Sequence, residues 1–249
     1  MGASLLEGEA GPAEVVNAGG RSSYVLVCEH AANVLPKRLG TLGLPPSDLQ
    51  RHIAWDIGAA PVARLLARRL DAPLVLQRYS RLAYDCNRPP DAADAMPEIS
   101  ETTPIPGNRN LTPADRLART REIYRPFHAA VADLLDQRAA EGVRSMVVTI
   151  HSFTPVYKGQ PRAVELGILH DRDTRLSGKL ISSFPGVDAR LNQPYAPRDG
   201  VFHTLDLHAV PRGLHHVMLE MRNAFIADER GQAEWAERLS AALTQAAEP

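Results

Sequence analysis

Four short apolar runs in this chain each lead into side chains that bind metals, hold carboxylates or move protons. Tyr24–Cys28 stops at Glu29-His30, and residues 144–150 stop at His151-Ser152. Residues 73–77 lead to Tyr84-Asp85-Cys86-Asn87-Arg88, and residues 217–221 carry Glu220 and end at Arg222-Asn223. Continuous β-branched and aliphatic runs of this length are the pattern of strands buried on both faces, as in parallel sheets covered by helices. Open α/β sheets collect ligands at the carboxyl ends of their strands. The four polar ends therefore predict one shared site.

Helical periodicity fills the gaps. It predicts a helix over 58–70, with Val62, Leu65, Leu66 and Leu70 on one face, and a final helix over 232–246. A long helix is expected from Thr112, its N-cap, through Pro113 at the first position to 141, broken at Pro126. A shorter one starts at Pro45 and has its body at 49–53. One further strand is expected at 164–169. With no hairpin signal, the alternation gives an α/β fold with a parallel or mixed sheet. Residues 91–106 lack periodicity and hold several prolines, which predicts a loop acting as a lid. Residues 1–22 read as a loose lead-in to a single domain spanning 1–249.

A chain of 249 residues, 44% hydrophobic and 23% charged, buries a core without disulfide support. Its formal charge of −1 excludes a generally basic nucleic-acid-binding surface. Two cysteines, Cys28 and Cys86, make no disulfide framework and are expected reduced, in the cytoplasm. No run reaches the ~20 apolar residues of a membrane span. The start of the chain lacks the basic and apolar regions of a signal peptide. Monomer and homo-oligomer fit equally well.

Catalytic zinc takes three protein ligands and keeps a position for water. His30 and His151, both at strand ends, are the natural nitrogen pair. Asp56, in Trp55-Asp56-Ile57-Gly58, reads equally as the third ligand and as the N-cap of the 58–70 helix. Glu29 is a reserve ligand, because strand neighbours point to opposite faces unless a turn intervenes. Arg88 offers a planar fork for a carboxylate, with Arg81, Asp85 and Asn87 close by. Glu220 reads as a general base in an apolar setting or as the ion-pair partner of Arg222. His203, His208, His215 and His216 read as surface or supporting groups. Phosphate loops, G-x-S-x-G elbows and H-E-x-x-H helices are all missing, which argues against kinase and serine-hydrolase chemistry.

Taken in order, Val27-Cys28-Glu29-His30-Ala31, Trp55-Asp56-Ile57-Gly58, Ser80-Arg81-Leu82-Ala83-Tyr84-Asp85-Cys86-Asn87-Arg88-Pro89, Ile150-His151-Ser152-Phe153 and Leu219-Glu220-Met221-Arg222-Asn223 resemble the N-formylglutamate amidohydrolase family. Asn192-Gln193-Pro194-Tyr195 with Asp199-Gly200 resembles that family's late loop. The resemblance implies a three-layer α/β/α sandwich related to the zinc carboxypeptidases and aspartoacylases. It implies one zinc ion per chain on His30, Asp56 and His151, with metal-activated water and Glu220 as proton shuttle. Arg88 is then catalytic and binds substrate with Asn87, Arg81, Asp85, Ser152, Tyr195 and Arg222. Related carboxypeptidases place a glutamate three residues after the first histidine, where this chain has Asn33. The implied reaction is release of formate from N-formyl-L-glutamate. Rival readings are hydrolysis of another N-acyl amino acid or short peptide, and a metal-binding protein without catalysis.

Overall fold

The computed structural model describes residues 4–248. Its strands are β1 (Ala13–Val16), β2 (Tyr24–Cys28), β3 (Leu74–Gln77), β4 (Ile99–Ser100), β5 (Thr103–Pro104), β6 (Met146–Phe153), β7 (Val156–Tyr157), β8 (Gln160–Pro161), β9 (Leu166–Leu169), β10 (Ala189–Leu191) and β11 (His215–Arg222). The helices are α1 (Pro46–Leu49), α2 (Ala59–Leu70), α3 (Pro113–Arg119), α4 (Arg125–Ala140), α5 (Ser177–Leu180), α6 (His203–His208) and α7 (Glu229–Ala247).

Seven strands form one mixed sheet in the order β1-β3-β2-β6-β11-β9-β10. The centre, β3-β2-β6-β11, is parallel, whereas β1 and β9 pair antiparallel to β3 and β11. Alternation along the strands feeds two cores. Leu26, Cys28, Val148, Ile150, Leu219 and Met221 pack under α2 and α7. Val25, Val27, Val147 and Met218 face α4 and α6. Full burial on both faces explains why these strands read as unbroken apolar runs.

The expected fold class holds, with local differences. The lead-in is not loose: Ala13–Val16 is an edge strand, registered Ala13 to Gln77 and Val16 to Leu74. Residues 1–3 of that lead-in lie outside the described residues. Two tiny hairpins, β4-β5 and β7-β8, occur where none was signalled. Positive φ at Glu101, Lys158 and Gly159 makes these turns, and two-residue arms leave no alternation to read. The short helix ends at Leu49 rather than running to 53, where the Asn33 amide donates to the Leu49 carbonyl.

Thr112 caps α3 in a reciprocal box with Asp115, as its sequence predicts. The break before Pro126 is a π-helical turn at Thr120–Tyr124. Widening the helix there spares the carbonyls that the proline ring would strike, and Pro126 falls in the first turn of α4. α7 starts three residues earlier than expected, capped by Asp228 on the Gly231 amide. No helix among the described residues is long and apolar enough to cross a membrane.

One glycine sets the geometry of the site. Gly58 begins α2 at φ 80°, and a Cβ there would lie 2.2 Å from the Ile226 carbonyl oxygen. Both the left-handed backbone and the close approach require glycine. Gly58→Ala is expected to lower stability by about 1–3 kcal/mol and to displace the turn carrying Asp56. Denaturant melts check it; a variant as stable as the native protein would contradict it.

Candidate active site

The carboxyl ends of β2, β6 and β11 lie side by side, and register decides what meets there. Glu220 on β11 pairs directly with His151 on β6. Both share the parity of Met218 and Thr149, so their side chains rise from the same face. β2 ends at Cys28, and Glu29-His30 form a turn. The turn releases the strand alternation, so Glu29 and His30 both reach His151, Glu29 at its Nε2 and His30 ring to ring at 4.9 Å.

Asp56 is the hub. Its Oδ2 lies 2.9 Å from His151 Nδ1 and 3.3 Å from His30 Nδ1. Asp56 is therefore not the helix cap: Gly58 holds that position, and no side chain caps α2. Potential ligand atoms of His30, Asp56 and His151 all lie within 4.8 Å of one another, and all three residues are buried. Tetrahedral zinc with ligands at about 2.0–2.1 Å spaces its donor atoms roughly 3.3 Å apart, and the contacts to Asp56 Oδ2 approach that spacing.

Each histidine is backed by a second carboxylate. His30 Nε2 meets Asp85 Oδ1 at 2.8 Å, and His151 Nε2 lies 3.0 Å from Glu29 Oε2. The Glu29 contact has ion-pair distance but poor hydrogen-bond alignment, so its carboxylate keeps unmatched acceptors in a fully buried position. Arg81 bridges Asp85 Oδ2 at 2.8 Å and Asp56 Oδ1 at 3.4 Å. Three carboxylates against one guanidinium leave an excess of two negative charges in the cluster. Two imidazolium protons or one divalent cation neutralises it.

The titration directions agree with that count. Burial opposes charge on His151, but Glu29 and Asp56 hold its pKa well above the ordinary histidine value. His30 is opposed by burial and by Arg81, yet Asp85 and Asp56 raise it. Against burial, Asp56 is held below the usual carboxylate range by the two histidines, Glu29 chiefly by His151, and Asp85 by His30 and Arg81. Glu220 goes the other way. Burial, reinforced by the Asp56 charge, pushes it up to about 7 despite the two histidines and Arg81. Its carboxylate makes no hydrogen bond among the described residues, and Oε2 is buried without a partner.

These groups open onto a cavity of about 150 Å³, lined by His30, Asp56, Arg81, Asn87, Arg88, His151, Ser152, Tyr195 and Glu220 among others. Besides Arg81, four expected substrate contacts are already engaged within the protein. Asp85 spends its carboxylate on His30, Arg81 and the Asn87 backbone amide, behind the His-Asp-His cluster. Arg222 donates to the carbonyls of Arg162, Ala163 and Val164, which excludes it as the ion-pair partner of Glu220. Asn87 faces the cavity, but its amide donates to the Val201 carbonyl and accepts from the Thr204 amide. Ser152 donates to the Ile57 carbonyl, and its amide reaches Asp56, so it also steadies the hub. Glu29 lies on the far nitrogen of His151 and not among the ligand atoms.

The sequence reading missed the rim. His52, Ser100, Glu101 and Tyr157 line the cavity from loops and hairpins. Glu101 joins the two hairpins by accepting from the Lys158 amide at 2.9 Å, and with Ser100 it is the part of the 91–106 segment that reaches the cavity. The later histidines are structural. His208 bonds His128 in the core, His203 bonds the Tyr124 hydroxyl, and His216 bridges Leu214 and Asp171.

Fold and site together define an α/β protein with a buried His-Asp-His cluster that could hold a metal ion beside an unpaired carboxylate. A family model described as N-formylglutamate amidohydrolase matches residues 22–227. The chain belongs to the N-formylglutamate amidohydrolase family. It is 50% identical to a protein of Agrobacterium tumefaciens with a known crystal structure, at a TM-score of 0.94 and with 96% of each chain covered. It also shares its fold with the N-formylglutamate amidohydrolase from Ralstonia eutropha JMP134, at 18% identity and a TM-score of 0.71, covering 95% of this chain and 97% of that one. No curated protein sequence matches it. Membership supports amide hydrolysis of a small molecule.

The carboxylates behind the histidines make a separate prediction. Such partners orient the imidazole and raise its basicity, and losing one costs about 10–100-fold in metal affinity. Asp85→Asn is expected to weaken metal binding within that range, measured by competition with a chromophoric chelator. An unchanged affinity would show that Asp85 serves Arg81 alone.

Proposed function

We propose that this single-domain chain is a zinc-dependent amidohydrolase that converts N-formyl-L-glutamate and water to formate and L-glutamate. The convergence of His30 Nδ1, Asp56 Oδ2 and His151 Nδ1 beside the unpaired Glu220 carboxylate carries this reading. His30, Asp56 and His151 would hold the metal, whose Lewis acidity would polarise the amide carbonyl and make water more acidic.

The protein's own groups do the rest. Asp85 holds the far nitrogen of His30 by a hydrogen bond and Glu29 faces that of His151 at ion-pair distance, while both Nδ1 atoms face Asp56. Glu220 takes a proton from the attacking water and returns it to the departing nitrogen as the C–N bond breaks. A carboxyl near pH 7 suits both halves of that transfer. Arg88 has Nε on Asp94 and Nη1 on the Asn87 carbonyl, so its remaining edge is available for the substrate α-carboxylate. Asn87 holds the 201–204 segment that closes this side. The small cavity favours a single acyl amino acid over a polypeptide.

Formate release from N-formyl-L-glutamate, compared with acetate release from N-acetyl-L-glutamate and cleavage of short peptides, tests this assignment. N-formyl-L-glutamate is expected to have the highest kcat/KM. Faster cleavage of the acetyl compound or of a peptide would transfer the function to the corresponding hydrolase class.

A further inference from the structure

Two arginines line the cavity, and both already pair with carboxylates through part of their guanidinium. Arg81 is held by Asp56 and Asp85, and Arg88 by Asp94. A third arginine, Arg162, stacks against two tyrosines of the cavity wall and makes no ion pair among the described residues. Its guanidinium carbon lies 4.4 Å from the centre of the Tyr157 ring and 4.7 Å from that of Tyr195. Both rings line the cavity. One donor goes to the Tyr195 hydroxyl at 2.9 Å, and the other side-chain donors have no described partner.

The fork is built in place. Arg222 gathers the carbonyls of residues 162–164, and the Arg162 amide donates to the Pro155 carbonyl at 2.8 Å. Stacking on two tyrosines fixes the guanidinium plane and leaves its edge open. Glu101, the acidic side chain at the rim, is taken up by the Lys158 amide, Arg51 and His52. A half-buried, oriented guanidinium without an anion is shaped for one supplied by a ligand.

We infer that Arg162, clamped by Tyr157 and Tyr195, is a specificity-determining residue that binds the second carboxylate of a dicarboxylic N-acyl amino acid. The inference rests on the amidohydrolase reading for its substrate but stands on its own for its ligand. It assigns the side-chain carboxylate to Arg162 and leaves the α-carboxylate to Arg88. Tyr195 then connects specificity to chemistry, since its hydroxyl bonds Arg162 while the negative charge of Glu220 acts on the same phenol.

The test compares N-formyl-L-glutamate with its neutral isostere N-formyl-L-glutamine on the zinc-loaded enzyme. A charge-assisted bidentate contact predicts a native preference of about 100-fold, mostly through KM. Arg162→Met should collapse that preference to under about threefold, and Arg162→Lys, a point charge without the fork, should keep about tenfold. Calorimetric binding of glutarate against butyrate provides a readout without turnover, and only Arg162→Met should lose the glutarate preference entirely. If the native protein hydrolyses neither substrate but binds glutarate through Arg162, the amidohydrolase reading fails and the ligand assignment stands. A dicarboxylate preference that survives in Arg162→Met, or none in the native protein, overturns the inference.

Discussion

Glu220→Gln is expected to lower kcat by about 10²–10⁴-fold, the range of general acid–base catalysis, with bound metal unchanged. Glutamine keeps the size of the side chain but cannot carry the proton between water and the leaving nitrogen. Metal is retained because Glu220 lies outside the His30, Asp56 and His151 set. The same substitution should stabilise the metal-free protein at neutral and alkaline pH. A carboxyl whose folded pKa is raised opposes folding above its unfolded value. For Glu220 the penalty is absent below pH 4.5, grows toward about 7 and is complete above it. Thermal melts should show the variant more stable by on the order of 1 kcal/mol at pH 8, with no gain at pH 4. Loss of activity accompanied by loss of metal would instead make Glu220 a ligand.

Asp56→Asn should be the most damaging single change to metal binding. The carboxylate faces both imidazoles, and its charge keeps the cluster in deficit by two. Neutralising it removes a ligand oxygen as well as charge, so affinity should fall by more than the about 100-fold upper range of an outer-shell change. Zinc should raise the melting temperature of the native protein and leave that of Asp56→Asn nearly unmoved, because only binding to the folded state stabilises it. The pH dependence has a definite sign. In the metal-free protein the raised pKa values of His30 and His151 contribute stability that is full below about 6.5 and is lost as pH rises through the folded values. Zinc competes with those protons, so its stabilising effect should grow from pH 6 to pH 8, with protons released on binding. A zinc effect that shrinks over that interval would contradict the assignment of both histidines.

The central strands were legible in the sequence because burial on both faces leaves nothing but apolar residues between the polar ends. β1 and β10 were not, because edge strands keep water on one side: Ala-Glu-Val-Val and Ala-Arg-Leu carry no apolar run. The meeting of His30, His151 and Glu220 followed from strand ends in parallel register. Asp56 read equally as ligand and as cap; the left-handed Gly58 takes the cap, and the Asp56 carboxylate faces the histidines instead. The directions of Asp85 and Arg222 were not legible. Residue spacing locates a backbone position, but a long or turn-borne side chain selects its partner from residues distant in sequence, as Arg222 does at 162–164. For the same reason the rim formed by His52, Glu101 and Tyr157 was visible only in three dimensions.

The most direct test of the account is the zinc content of protein prepared in zinc-replete medium, measured alongside formate release from N-formyl-L-glutamate before and after chelation. The account predicts about one zinc per chain, with formate release that disappears with the metal and returns when zinc is restored. Protein that holds no metal, or formate release that survives complete chelation, would contradict it.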